Sequence, residues 1–173
     1  MAIWRRENIH QHVNGTAPIL RHLMNKTLIT WLLVQSFFNQ VIANPVFSFD
    51  PMNGNLMNQC SRRAPKYDYQ FKPTEEEISA AEHTLHEISR LKTKLCGKPY
   101  LVKSPHKFVR QYIGYSYKSN KFLYLNALIT DSPTNKAPMI VCDGGPSNWG
   151  VTFDLKNKSF NDLIVSEGKG LCE

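Results

Sequence analysis

Apolar residues recur at three- and four-residue steps along residues 78–95, which is the spacing of one buried stripe on an amphipathic helix. The stripe consists of Ile78, Ala81, Leu85, Ile88, Leu91 or Lys92, and Leu95. Thr74 stands where an N-cap is expected, and Glu77 three residues later completes a capping box. Gly97 is a typical helix terminator. The pattern therefore predicts one long helix between Thr74 and Gly97.

From Phe108 onward the apolar positions alternate with polar ones, which is typical of β-strands. In a strand over residues 108–117, one face carries Val109, Gln111, Ile113 and Tyr115, and the other carries Phe108, Arg110 and Tyr112. Further strands are predicted at residues 122–130, 137–142, 149–155 and 160–165, with a hairpin turn at 118–121, a glycine-rich turn at 143–148 and a short strand at 67–71. This order predicts an α+β fold, in which one long helix packs on a four- or five-stranded antiparallel sheet.

Residues 24–43 have the three parts of a secretion signal. Met24-Asn25-Lys26 is a short charged region, residues 28–38 form an apolar core, and Val41-Ile42-Ala43 supplies small side chains for cleavage after Ala43. An uncleaved membrane anchor is the alternative, but the apolar run of about 11 residues is shorter than the roughly 20 that span a bilayer. The signal predicts a periplasmic or secreted protein whose translation starts at Met1 or Met24.

The sequence predicts three parts: residues 1–43 are an N-terminal extension and signal peptide, residues 44–72 an irregular arm, and residues 73–173 the α+β domain.

Cleavage after Ala43 would lower the net charge of the protein. Of 21 basic and 14 acidic residues, 17 and 13 follow Ala43, so the net charge falls from +7 to about +4. Since Arg62-Arg63 is the longest basic run after Ala43, we expect an unknown protein or envelope ligand as partner, no nucleic acid, and no stable membrane span after cleavage.

All four cysteines follow the signal, and an even number in an oxidising compartment predicts two disulfide bonds. The cysteines are Cys60, Cys96, Cys142 and Cys172. Three pairings are possible, and we favour Cys60–Cys172 joining the two ends with Cys96–Cys142 joining the helix end to the sheet. A zinc site is the alternative, but no pair has the Cys-x-x-Cys spacing typical of one.

Five residues are candidates for binding. Arg110, Tyr112 and Tyr115 belong to a cluster of tyrosine and arginine on the first two strands, which makes a good recognition surface where it is exposed. An amphipathic sheet also favours tyrosine without any such role. Asp143 and Trp149 flank the glycine-rich turn and could border a ligand pocket. The favoured interpretation of that pair is structural, with Asp143 capping its own turn and Trp149 filling the core.

The sequence does not indicate catalytic chemistry. His83 and His86 lie three residues apart on the predicted helix, but the His-Glu-x-x-His order of a zinc protease is absent. No serine lies in a Gly-x-Ser-x-Gly elbow, and paired cysteines leave no free thiol. We therefore predict no catalytic residue, no metal and no cofactor.

Two strings carry a family resemblance. Arg110-Gln111-Tyr112-x-Gly114 and Val141-Cys142-Asp143-Gly144-Gly145, followed by Trp149-Gly150-Val151-x-Phe153-Asp154, resemble small uncharacterised secreted bacterial proteins. The resemblance covers residues 73–165, implies a cystatin-like layout of a long helix across a curved sheet, and brings no activity with it.

The secretion signal, the two predicted disulfide bonds and the absence of a catalytic motif together predict an exported non-enzymatic binding protein of unknown ligand. This class includes inhibitors and immunity proteins. The alternatives are an enzyme acting on envelope material and a structural or stress-related envelope component.

Overall fold

The computed structural model describes residues 44–53, 55–168 and 171–172. The signal peptide and the cleavage expected at residues 24–43 lie outside the described residues. Within the described part of the chain, no helix is long and apolar enough to cross a membrane.

A mixed sheet of six strands is the main element of the described chain. The described residues form eight strands in all: β1 (Val46–Ser48), β2 (Tyr69–Phe71), β3 (Thr93–Leu95), β4 (Lys98–Tyr100), β5 (Val109–Tyr117), β6 (Asn120–Leu128), β7 (Asn148–Asp154) and β8 (Ser159–Val165). The order in the six-stranded sheet is β1-β5-β6-β7-β8, with β2 also paired to β5. β1 runs parallel to the first half of β5 and β2 antiparallel to its second half, so residues 44–72, the expected irregular arm, supply one edge of the sheet. β3 and β4 form a separate antiparallel hairpin.

The predicted long helix on an antiparallel sheet, and with it the cystatin-like layout, is wrong. The one α-helix of the described residues, α1, spans nine residues, Glu75–His83, although the predicted capping box of Thr74 and Glu77 is present. Thr84 follows it, and its Oγ1 hydrogen-bonds to the carbonyl oxygens of Ala80 and Ala81 at 3.3 and 3.2 Å. The chain then tightens into a 3₁₀ helix at Leu85–Arg90.

The apolar stripe led to the wrong prediction of a long α-helix because its second half fits two kinds of helix. Leu85, Ile88 and Leu91 are spaced by three, which is the period of a 3₁₀ helix as well as a permitted step on an α-helix. Leu85 and Ile88 are fully buried in the 3₁₀ conformation, so burial is achieved without an α-helix. Residues expected in the last helical turns form β3 instead.

Each face of the sheet carries its own core. The larger core lies on the side of α1 and contains Ala81, Leu85, Ile88, Val102, Phe108, Tyr112, Leu123, Leu125, Ala127, Trp149, Val151, Phe153, Phe160, Leu163 and Val165. The smaller core, on what we call the second face, contains Phe49, Leu56, Met57, Ile113, Tyr115 and Tyr124. The alternation predicted for β5 is confirmed, since Tyr112 lies in the first core and Ile113 and Tyr115 in the second.

The strand predicted at residues 137–142 is absent, and this segment crosses the second face as an extended loop. Its backbone groups bond to side chains rather than to a neighbouring strand. The amide of Met139 donates to Gln111 Oε1 at 3.1 Å, and its carbonyl oxygen accepts from Asn126 Nδ2 at 3.1 Å. The amide of Val141 donates to Gln59 Oε1 at 3.1 Å. Because these side chains satisfy the hydrogen-bonding groups of the backbone, the segment does not need to pair with a neighbouring strand.

Two disulfide bonds are present, as predicted, but the favoured pairing is wrong. Cys60 bonds to Cys142, and Cys96 bonds to Cys172. The first bond joins the segment before β2 to the loop that crosses the second face. The second joins the β3–β4 turn to the chain after β8. Two disulfide bonds are compatible with an extracytoplasmic protein.

Candidate functional site

Arg110 and Tyr112, two of the predicted binding residues, are buried in the interior. Arg110 Nε donates to Glu82 Oε1 on α1 at 2.7 Å, and its Nη1 donates to the Phe108 carbonyl oxygen at 2.7 Å. The Tyr112 hydroxyl donates to the same Glu82 oxygen at 2.7 Å. Burial, and next the charge of Glu82, raises the pKa of Tyr112 well above its ordinary value. This pair joins α1 to β5 and presents no surface to a partner.

Tyr115 and Trp149, two further candidates, are also buried. The Tyr115 hydroxyl lies 3.0 Å from Thr152 Oγ1, and burial raises the pKa of Tyr115 to about 12. Trp149 is fully buried and meets Phe108 edge to face, with ring centroids 5.2 Å apart. The cluster that looked like a recognition surface in the sequence is therefore shared between the two cores.

Asp143 is exposed, in the loop between Cys142 and the short 3₁₀ helix Gly145–Ser147. Gly145, with φ at +51°, provides the left-handed turn there, a conformation that favours glycine. The structure therefore separates Asp143 at the surface from Trp149 in the core. His83, His86 and His106 are exposed as well.

A different group of residues forms a concave site, which we call the edge cleft. It has a volume of about 500 Å³ and lies where the edge strand β8 meets the segment before β2 and the end of the long 3₁₀ helix. It is lined by Arg63, Ala64, Pro65, Leu91, Lys92, Tyr124, Asp162, Leu163 and Ile164. The cleft reaches from the second face, where Tyr124 lies, around β8 to the side that carries α1.

A β-bulge in β8 shapes the edge cleft. Thr152 pairs with Asn161 and Gly150 with Ile164, so Asp162 and Leu163 together lie opposite Val151. Asp162 has a φ of +55°, which an L-residue adopts where a bulge turns the strand. The extra residue places residues 162–164 along the wall of the cleft.

Two smaller concave regions adjoin the edge cleft. A cleft of about 290 Å³ on the second face shares Pro65 and Asp162 with it and adds Lys66 and Tyr115 to the lining. Another of about 480 Å³ beside the β3–β4 hairpin shares Lys92 and adds Lys94. The combined concave surface carries four basic side chains and one acidic one, so its charge favours an acidic ligand.

Arg62 is only 6% exposed and lies beside Tyr124, a residue that lines the edge cleft, over Gly150. Its Nη2 donates to Asn126 Oδ1, and burial lowers the pKa of Arg62. Gly150 leaves room for this arrangement, because a side chain there would collide with Arg62 Nη1 and the Tyr124 hydroxyl. Burial also raises the pKa of Tyr124. Arg62 and Tyr124 thus fill the space above Gly150 together.

Sequence reasoning missed the edge cleft. In the sequence, Arg62-Arg63 is only a short basic run, and Gly150 is only part of the string that carries the family resemblance. A glycine inside a predicted strand often marks close approach of another group, and that signal points to the neighbourhood of Arg62. The bulge at Asp162 has no comparable signal in the sequence.

Among the described residues, no group of three or more histidine, cysteine, aspartate or glutamate side chains is arranged to hold a metal ion. No protein-family model, curated protein or solved structure matches the chain. The resemblance to small secreted bacterial proteins therefore stays a prediction, and the edge cleft has to be interpreted from its own geometry.

Proposed function

We propose that this chain is an exported binding protein that holds an acidic ligand in the edge cleft. The observation that carries the proposal is the lining of the cleft, where Arg63 and Lys92 face a single carboxylate, that of Asp162. A concave surface with an excess of one charge attracts ligands of the opposite charge and orients them.

The uncharged part of the lining narrows the ligand further. Ala64, Pro65, Leu91, Leu163 and Ile164 form apolar walls, and Tyr124 contributes an aromatic ring with a hydroxyl group. Pockets of this kind bury an apolar body and fix its orientation by a few polar groups. The fitting ligand therefore has an apolar portion next to a carboxylate or similar group, as an acidic peptide segment does.

Binding is favoured over catalysis because the polar groups considered for chemistry do not share the cleft. Arg110 is engaged by Glu82, Asp143 lies on a separate loop, and the three clefts are lined by no histidine. The edge cleft supplies charge and shape, which are what a receptor for an acidic segment requires.

A peptide titration tests this function. The purified secreted protein, with its disulfides intact, is titrated with a labelled synthetic peptide of alternating glutamate and leucine, and with the same peptide carrying lysine for glutamate. We expect saturable binding of the acidic peptide and no binding of the lysine peptide. Lys92→Glu should weaken the affinity for the acidic peptide about tenfold or more, which corresponds to about 1.4 kcal/mol. Added salt should also weaken this affinity.

Lys136→Glu is the matched control, because Lys136 is exposed and lines none of the three clefts. It changes the net charge by the same amount. Equal weakening by Lys92→Glu and Lys136→Glu would show that net charge alone drives binding, and the edge cleft would then have no role.

A further inference from the structure

The outer face of the β3–β4 hairpin points away from the larger core. Leu95 and Tyr100 pack against that core. Because successive residues of a strand point to opposite faces, their neighbours Lys94 and Pro99, which pair across the hairpin, point outward. The outer face therefore sets a basic side chain of β3 beside an apolar side chain of β4.

The cleft of about 480 Å³ at this hairpin, which we call the hairpin cleft, repeats the same combination. It is lined by Lys92, Thr93, Lys94, Pro99, Tyr100 and Leu101. Leu101 is 48% exposed, and the register of the hairpin, continued by one residue, brings it opposite Lys92. A concave surface with an apolar wall that stays open to solvent is typical of a binding site.

No carboxylate balances the two lysines of the hairpin cleft. The six residues of its lining include none, and neither Lys92 nor Lys94 forms an ion pair within the described residues. An apolar wall beside two exposed cations fits an aliphatic group that lies next to a carboxylate. The edge cleft fits a ligand of the same chemistry.

Lys92 connects the hairpin cleft to the edge cleft, because it lines both. Leu91 on one side of it lines the edge cleft, and Lys94 on the other lines the hairpin cleft. The chain is extended at Leu91 and again in β3. Since an extended chain rises about 3.3 Å per residue, a bound peptide passes from one cleft to the other within about four residues.

The hairpin that forms this wall is fixed to the rest of the domain. Cys96, in the turn between β3 and β4, is bonded to Cys172, and Leu91, Leu95 and Tyr100 pack against the larger core. A wall that is already ordered loses little conformational freedom when a ligand binds, and this favours affinity.

We propose that the peptide held in the edge cleft continues past Lys92 and inserts an aliphatic side chain into the hairpin cleft. The aliphatic side chain packs on Pro99 and Leu101, and an acidic residue next to it is held by Lys94. This inference rests on the proposed function and adds a second subsite to it. The ligand is then a segment in which acidic residues adjoin an aliphatic one.

Charge reversal on the two strands of the hairpin tests the acidic contact. Lys94→Glu should weaken binding of the labelled peptide of alternating glutamate and leucine about tenfold. Lys98→Glu is the matched control, since Lys98 is an exposed lysine of the same hairpin that lines none of the three clefts. We expect less than a twofold effect from it. Equal weakening by the two variants would overturn the proposal.

Leu101→Ser tests the aliphatic contact. Because Leu101 is half exposed, the variant should fold, and we expect it to bind the same peptide about tenfold more weakly. Leu101→Met keeps an apolar side chain of similar size and should retain the affinity. Ile129→Ser, at a residue that is 59% exposed and lines none of the three clefts, is the control. Unchanged affinity in Leu101→Ser would contradict the aliphatic anchor.

Arg63→Glu separates this inference from the proposed function, because Arg63 lines the edge cleft and not the hairpin cleft. If Arg63→Glu weakens binding while Lys94→Glu and Leu101→Ser do not, the proposed function stands and this inference fails. If the unaltered protein does not bind the peptide, the proposed function itself fails. A loss with Lys94→Glu but not with Arg63→Glu would place the whole ligand in the hairpin cleft and overturn both.

Discussion

Arg110 on β5 donates from Nε to the Glu82 carboxylate on α1 across 2.7 Å, and this contact joins the helix to the sheet. The Arg110 side chain is 3% exposed and that of Glu82 23% exposed, so the pair lies at the margin of the core. Tyr112 donates to the same oxygen. One carboxylate therefore satisfies two buried donors that the sequence suggested for a binding surface.

Removing the Glu82 carboxylate should destabilise the fold strongly. Glu82→Ala leaves the buried Arg110 charge without its counter-ion and the Tyr112 hydroxyl without its acceptor, and we expect a loss of about 3 kcal/mol in the free energy of unfolding. Chemical denaturation measures it. Glu76→Ala, an exposed position on α1, is the control and should cost less than about 1 kcal/mol. Similar losses in both variants would mean that the Arg110–Glu82 pair adds nothing specific.

Gly114 should not tolerate a side chain, because the Phe71 ring of β2 lies directly against it. A Cβ at Gly114 would stand 2.5 Å from Phe71 Cδ2, far inside normal contact. We expect Gly114→Ala to lower the free energy of unfolding by about 1–3 kcal/mol, as overpacking does. Phe71→Leu should relieve part of that loss in the double variant. Gly168→Ala, whose Cβ would have its closest contact at 3.4 Å, is the control. Additive losses in the double variant would argue against this contact.

The disulfide pairing can be checked by mass spectrometry of proteolytic fragments under non-reducing conditions. We expect fragments joined as Cys60–Cys142 and Cys96–Cys172. Each bond closes a long loop, with sequence separations of 82 and 76, so replacing either pair by serine should cost about 4–5 kcal/mol in the chain-entropy model. Recovery of Cys60 joined to Cys172 would contradict the structure.

The protein should lose stability in alkali as buried tyrosines ionise. Burial raises the pKa of Tyr115 to about 12, above the ordinary value of 10.0. The unfolded chain therefore releases this proton first, and the free energy of unfolding falls as pH rises from 10 towards 12. Tyr115→Phe should reduce this slope, measured by denaturation at several pH values. An unchanged slope would assign the alkaline loss to other tyrosines.

Five of the eight strands of the described residues, β2 and β5 to β8, were predicted to within about two residues at each end, because alternation and turns are local signals. The three-residue strands β1, β3 and β4 were not predicted as strands. The strand predicted at 108–117 is observed at Val109–Tyr117, and that predicted at 160–165 is observed at Ser159–Val165. The hairpin turn between β5 and β6 was also predicted, and Lys118 and Ser119 take left-handed conformations there. The start of α1 was predictable because the capping box is a local hydrogen-bond pattern. The end of α1 was not predictable from the sequence.

The candidate site was less predictable, because exposure is not a local property. Tyr115 looks the same in the sequence whether its face of the sheet is open or covered. Here the segment containing Leu56 and Met57 covers the second face, and that segment is held by Cys60–Cys142, a contact across 82 positions. The edge cleft likewise joins Arg63, Lys92 and Asp162 from three distant parts of the chain.

The sequence by itself determined the local features of this protein: which segments alternate, where α1 begins, that the four cysteines are available as two pairs, and that residues 24–43 have the pattern of a secretion signal. Only the tertiary structure decided how those pieces combine, namely the pairing of the cysteines, the burial of Arg110 and Tyr115, and the meeting of Arg62 with Tyr124 over Gly150. The physical reason is that hydrogen bonding, capping and periodicity act between near neighbours. Burial and charge compensation depend instead on groups brought together by long-range packing.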